Sequence, residues 1–181
     1  MNYSKYDTVI IEGPDRVGKD TQIQKIRNHF NGSLWQVLHY SKPPKLETDK
    51  DYIGYQSSLF SQMFALASFI PNLILNRSHI GEAVYATYRG YNGAYVFDIE
   101  EQWLDKETDE RTVVIVLIPK ADQLIARNDG ESFYTNLEEA EGEIGRFIAA
   151  YQVTKFTNKH IIVVDGKSID EVADEIRAIL T

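Results

Sequence analysis

The chain has 181 residues, 43% hydrophobic and 25% charged, enough to bury one core and short for two, so a single domain over residues 1–181 is expected. It contains no cysteine, which excludes disulfides, thiolate metal sites and thiol catalysis, and its formal charge of −8 disfavours an extended nucleic-acid surface, where Lys and Arg would cluster. Met1 to Asp7 lack the apolar run of a secretion signal and no stretch reaches the length of a membrane span, so a cytoplasmic location without membrane contact is expected.

Val9 to Ile11 form a short β-branched run, the first strand. Gly13 and Gly18 then bound a four-residue loop ending in Lys19, in the pattern G-x-x-x-x-G-K, and Thr21 to Phe30 has the spacing of an amphipathic helix. Strand, glycine loop and helix in that order describe a site for nucleotide phosphates. Backbone N–H groups can surround an anion only where side chains do not block the approach, the helix points its positive end at the same anion, and Lys19 adds a mobile ammonium. Where the pattern expects Ser or Thr after the lysine, this chain has Asp20 followed by Thr21.

Trp35 to Tyr40 reads as a second strand and Ser41 to Asp51 as a polar loop. Ser57 to Phe69 is a helix apolar on most sides, ended by Pro71 before a strand at Leu73 to Leu75. Ser78 to Tyr88 reads as a helix, Gly90 to Gly93 as a turn, and Asp98 to Thr108 as an acidic helix that Asp98 could cap. Thr112 to Ile118 is the clearest buried strand and Ala121 to Arg127 a short helix. Asn128 to Asn136 is a polar loop in which Asp129 and Gly130 favour a turn. Leu137 to Asn158 is a long helix, Ile161 to Val164 a last strand, and S-I-D-E from Ser168 a capping box opening a helix to Leu180. Five apolar strands separated by helices imply an α/β fold, a five-stranded parallel sheet with helices on both faces, whose ligands sit at the carboxyl ends of the strands.

Together these segments resemble the thymidylate kinase branch of the P-loop nucleoside monophosphate kinases, over nearly the whole chain. The most discriminating match is I-E-G-x-D-R-x-G-K-x-T-Q, Ile11 to Gln22, similar to the loop of thymidylate kinases that carry an arginine inside it. The resemblance implies a P-loop NTPase fold, ATP as donor and Mg²⁺ as cofactor. Gly13, Pro14, Val17, Gly18, Lys19, Asp20 and Thr21 would form the donor loop, Asp15 would lie near the acceptor sugar and Arg16 would reach the donor phosphates. N-R-S-H at Asn76 to His79 resembles the family's Asp-Arg motif, so Arg77 would hold the acceptor phosphate. The family has Asp at the position of Asn76. A carboxylate is thus gained at Asp20 and lost at Asn76, and the exchange keeps one carboxylate near the metal.

F-S-Q-M-F from Phe60 matches the helix on which the family stacks an aromatic ring on the acceptor base. Four residues later, where the family has an arginine reading a pyrimidine edge, stands Phe64. Lys42 falls where the family has a basic residue near the acceptor phosphate, and Tyr85 and Arg89 belong to an aromatic and basic cluster that could line the same pocket. Arg127 opens a loop over residues 127–136 that resembles the lid, and Asp165 and Gly166 stand near the expected adenine. The family also implies a homodimer acting on a small-molecule nucleotide, dTMP or a related deoxynucleotide.

Other residues have plainer readings. His79, with Glu82 at i+3, is a structural residue, since H-x-x-E alone has no further ligands. Tyr88, Tyr91 and Tyr95 are packing, and two acidic groups, Glu100, Glu101, Asp105, Glu107, Asp109 and Glu110, then Glu138, Glu139, Glu141 and Glu143, are solvated faces. Two alternatives stand beside the monophosphate kinase: a P-loop kinase acting on a modified pyrimidine or on polynucleotide hydroxyls, of which the acidic charge disfavours only the polymeric acceptor, and a nucleotide-binding module without catalysis.

Overall fold

The computed structural model describes residues 3–30, 34–128, 130 and 132–181. The β-branched runs become five strands, β1 (Thr8–Glu12), β2 (Gln36–His39), β3 (Leu73–Asn76), β4 (Thr112–Ile118) and β5 (Lys159–Val163), in one sheet of order β2-β3-β1-β4-β5. Every pairing is parallel. Among the described residues the connections carry α1 (Lys19–His29), α2 (Asp49–Phe69), α3 (His79–Tyr88), α4 (Tyr95–Trp103), α5 (Lys106–Arg111), α6 (Ala121–Ala126), α7 (Leu137–Val153) and α8 (Ile169–Leu180). None of these helices is long and apolar enough to cross a membrane.

Successive strand residues point to opposite faces, and both faces are buried. Ile10, Leu73, Leu75, Val114 and Val116 pack with Phe60, Phe64, Val84, Ile99 and Phe147 of α2, α3, α4 and α7. Val9, Ile11, Ile74, Val113, Ile115 and Leu117 pack with Ile23, Ile26, Val172 and Ile176 of α1 and α8. Each such side chain contributes about 1.5–3 kcal/mol relative to exposure, which makes the three central strands a rigid frame for the loops at their carboxyl ends.

The helix expected from Ser57 starts eight residues earlier. Thr48 accepts from the Asp51 N–H and donates to its carboxylate, capping a polar first turn that carries no apolar repeat. The helix expected over Asp98 to Thr108 is two helices. Asp98 lies in the first turn of α4, and Asp105 breaks the run by accepting from Thr108 N–H as the cap of α5. The helix expected to reach Asn158 stops at Val153, because Thr154 Oγ1 and the Lys155 N–H turn to the Glu100 carboxylate and Lys159 Nζ takes the carbonyls of Tyr151 and Thr154. Glu100 is therefore no solvated residue. It is fully buried on α4 and its Oε2 lies 2.5 Å from His79 Nε2. Of the turn expected at Asp129 and Gly130, Asp129 lies outside the described residues.

Candidate active site

β1 brings the chain to the carboxyl edge of the sheet between β3 and β4, and the glycine loop turns there into α1. Gly13 has φ +135°, and a Cβ would stand 2.3 Å from the Leu117 carbonyl oxygen, so only glycine fits. Gly18 caps α1 at φ 104° and offers no side chain to its first-turn N–H groups, which stay available to a ligand. By contrast α2, α3, α7 and α8 are closed by Thr48, Ser78, Asn136 and Ser168. Lys19 Nζ is buried and donates to the carbonyls of Gly13 and Pro14, each at 2.7 Å. Burial, and after it the charge of Arg77, lowers the Lys19 ammonium from 10.5 to about 8. An anion in the loop would reverse that shift.

Asp20, in the first turn of α1, accepts a 2.6 Å hydrogen bond from Asn76 Nδ2 at the end of β3. Asn76 is buried and its Oδ1 has no partner. With Lys19, Thr21, His39 and Arg77 they line a pocket of about 140 Å³. A carboxylate and an orphaned amide oxygen suit Mg²⁺, which takes few protein ligands and completes its octahedron with waters and phosphate oxygens. Among the described residues no group of three or more His, Cys, Asp or Glu could hold a metal, so Asp20 and Asn76 would hold an ion only together with ligands from outside the protein.

Beside the loop opens a cavity of about 770 Å³. Arg77 enters it from a left-handed backbone, φ 71°, with its N–H on the Ile11 carbonyl at 3.0 Å. That conformation is uncommon for a bulky residue and costs about 1–3 kcal/mol, and the contacts of Glu12 hold it in place. The buried Glu12 carboxylate at the end of β1 accepts from the Ser78 N–H and hydroxyl and from the Gly81 N–H, so an anion sits on the first turn of α3 and fixes the turn that carries Arg77. Arg77 Nη2 reaches Asp15 Oδ1 at 2.5 Å. Phe60 forms one wall beside Tyr40, with ring centroids 6.2 Å apart. Phe133, which also lines the cavity, stacks on Tyr88 at 4.8 Å, and Arg146 of α7 donates to the Tyr88 hydroxyl at 2.6 Å.

Asp15, Arg16, Lys42, Phe60, Arg77, Tyr85 and Arg89 all line this cavity, so the structure brings these seven positions together. Phe64 does not. It is fully buried against His79 and Phe156 and belongs to the core, one helical turn beyond Phe60. Arg127 donates to the Arg16 carbonyl at 3.2 Å, tying the start of the lid-like loop to the glycine loop. Asp165 stands apart, paired with Lys120 at 2.5 Å and accepting from Gln123 Nε2 at 2.9 Å. Pro14 and Val17 shape the loop, with the Val17 N–H on the Pro14 carbonyl and its side chain in the core below.

Several polar positions in and around the cavity escape the sequence motifs. Glu82 is not paired with His79 but faces the cavity, where four side chains converge on it. Glu143, expected on a solvated face, is 1% exposed and accepts from Tyr85 Oη at 3.0 Å. Burial pushes its carboxyl up to about 7, against the opposing pull of the Tyr85 hydrogen bond. Tyr95 is not simple packing either, since its hydroxyl donates to Glu82 at 3.0 Å. Glu143 was detectable, because Ala140, Glu143, Phe147 and Ala150 form one buried stripe of α7 at helical spacing.

No protein-family model matches the sequence and no curated protein is significantly similar to it. Solved structures are similar in fold. Thymidylate kinase from Candida albicans superposes with a TM-score of 0.66 at 16% identity, over 98% of this chain and 92% of that one. YorR from Bacillus subtilis, solved in complex with phosphorylated GDP, gives 0.64 at 16% identity over 95% and 94%. Deoxyadenosine kinase from M. mycoides with bound dATP gives 0.59 at 16% identity over 94% and 97%. At such identities the shared property is architecture, and with its glycine loop between β1 and α1 the chain is an α/β protein of the P-loop NTPase fold.

Proposed function

We propose that the protein transfers the γ-phosphoryl group of ATP to the 5′-phosphate of a deoxynucleoside monophosphate, with dTMP the first candidate. The observation that carries this reading is the junction of the two pockets: Arg16, Asp20 and Arg77 line both. A phosphoryl group passing from the Lys19 side to the Phe60 side would cross between two guanidinium groups. Phosphoryl transfer demands little covalent chemistry from a protein, so in-line placement and charge stabilisation by Lys19, Arg16 and Arg77 suffice. Mg²⁺, held by Asp20 and Asn76, would neutralise phosphate charge. An acceptor phosphate on Arg77 would compete with Asp15, freeing that carboxylate to meet the acceptor sugar. Phe133 and Arg127 at the loop 127–136 would exclude water and so limit hydrolysis of the donor.

The fold neighbours that are thymidylate and deoxyadenosine kinases support a nucleotide or nucleoside acceptor, and the loop motif Ile11 to Gln22 favours dTMP among them. The same reading carries a homodimer, to be tested by light scattering. The decisive assay is ADP release from Mg-ATP against dTMP, dUMP, dCMP, dGMP, dAMP and a thymidine oligonucleotide. Preference for dTMP supports the assignment in full, and broad use of monophosphates keeps the activity while removing its base. Turnover of the oligonucleotide alone, or tight ATP binding without transfer, replaces it.

A further inference from the structure

The far end of the cavity is built around one carboxylate. Glu82 Oε1 accepts from Tyr52 Oη at 2.6 Å and Tyr95 Oη at 3.0 Å, and Oε2 accepts from Gln56 Nε2 at 2.7 Å and Arg89 Nη1 at 2.9 Å. A carboxylate offers about four lone-pair sites, so Glu82 is saturated and has nothing left for a ligand. Its four donors are oriented by it. For Gln56 the consequence is specific, because an amide has two ends and Glu82 accepts only from nitrogen. One N–H of the nitrogen is therefore committed, the orientation of the amide is fixed, and Oε1 is left as an acceptor. That oxygen is buried and has no partner, although Gln56 lines the cavity and is 3% exposed. Unpaired buried acceptors are rare because they forgo hydration without compensation.

Gln56 stands one helical turn before Phe60 on α2, so the amide and the ring share a helix face. Both also line the cavity, so a flat ligand stacked on Phe60 would present its edge towards Gln56. We infer that Gln56 reads the acceptor base: its Oε1 accepts from a ring-edge N–H, and Glu82 positions it by holding the amide nitrogen. The inference rests on the reading of this cavity as a nucleotide acceptor pocket. It deepens that reading by replacing the helix position at Phe64, which lies in the core, with one a turn before the stacking ring. Bases with an N–H on the pairing edge satisfy Gln56. A base whose edge N–H is methylated leaves the oxygen unpaired and adds a clash.

The test is a cycle of two enzymes and two substrates. Wild type and Gln56→Leu are assayed with the preferred monophosphate and with its analogue bearing N–CH₃ in place of the edge N–H, N3-methyl-dTMP where dTMP is preferred. In wild type the methylated substrate should have a kcat/KM lower by roughly ten- to a hundredfold, and in Gln56→Leu that ratio should collapse towards unity. Glu82→Gln, which can offer either end of an amide, should free Gln56 to turn over and lower the same ratio. An unchanged ratio in Gln56→Leu overturns the inference while leaving the kinase intact. Should the variants not fold, equal use of parent and methylated substrate by wild type overturns it as well. Transfer to no nucleotide at all by wild type removes the proposed function, and the inference with it.

Discussion

Lys19 and Asp20 are adjacent in sequence and face opposite electrostatic problems. Lys19 is a buried cation whose pKa falls to about 8, while the unfolded chain titrates near 10.5. Between those values the unfolded state binds more protons, so this group's penalty on folding is full below pH 8 and is relieved as pH rises towards 10.5. Binding has the opposite sign: above pH 8 the free site is neutral, and ATP must bring a proton with it. ATP affinity should therefore fall by up to about tenfold per unit above pH 8, with proton uptake visible by calorimetry in two buffers of different ionisation enthalpy. Lys19→Met should lose roughly two to three orders of magnitude in kcat and lose this pH slope. A slope that persists in the variant would assign it to another group. Asp20 carries the carboxylate that Asn76 lacks, and the two side chains touch at 2.6 Å. Asp20→Ser should reduce Mg²⁺-dependent turnover roughly a hundredfold, and adding Asn76→Asp should restore most of it. No recovery in the double variant would show that the two positions are not interchangeable holders of one ion.

Glu143 joins two elements, α7 and α3, through the Tyr85 hydroxyl, and it does so at an electrostatic cost. Its folded pKa of about 7 lies above the ordinary 4.5, so between those values the folded state holds the extra proton. Stability from this group accordingly falls as pH rises from about 4.5 to 7, by roughly 3 kcal/mol in total. Glu143→Gln should therefore raise Tm by several degrees at pH 8 and change it little at pH 5, as read by calorimetry. A difference independent of pH would mean that the carboxyl is ionised throughout. At this scale the sequence is legible for strands and for most helices, because apolar periodicity reports burial directly. It is less legible where a helix buries polar side chains. Gln56 lies on the α2 stripe of Tyr52, Phe60, Met63 and Phe64, and Glu100 beside Val96 and Ile99 on α4. Each occupies an apolar position with a polar residue, and its partner, Glu82 or His79, comes from another element. Charge alone made Glu100 and Glu143 read as solvated. The glycine loop is legible because its chemistry is local, whereas the larger cavity gathers residues from the glycine loop, α2, α3 and the loops after β2 and before α7. The false placement of Phe64 has the same origin, since a match by spacing carries no information on which way the position faces.

Across the whole molecule, 27 Asp and Glu outnumber 19 Lys and Arg, yet the cavity holds Arg16, Lys42, Arg77 and Arg89 against Asp15, Asp20 and Glu82. On the proposed function, a chamber richer in cations than the acidic body around it would select by size. A compact anion is drawn in by nearby guanidinium groups, while each further phosphate of a polymer would lie against a surface of like sign within about one Debye length, roughly 8 Å at physiological ionic strength. The cavity volume of about 770 Å³ is also that of a small-ligand site. A thymidine oligonucleotide should accordingly be phosphorylated at least about a thousandfold less efficiently than dTMP at about 50 mM salt. Raising salt to about 200 mM should lower kcat/KM for dTMP by less than about tenfold, since the proposed acceptor site would make only about two or three phosphate contacts, against the steeper loss that accompanies about six or more. Comparable kcat/KM for oligonucleotide and monophosphate, together with a steep salt dependence for the oligonucleotide, would mean that a basic track crosses the acidic surface and that the chamber is the end of a groove rather than a closed pocket.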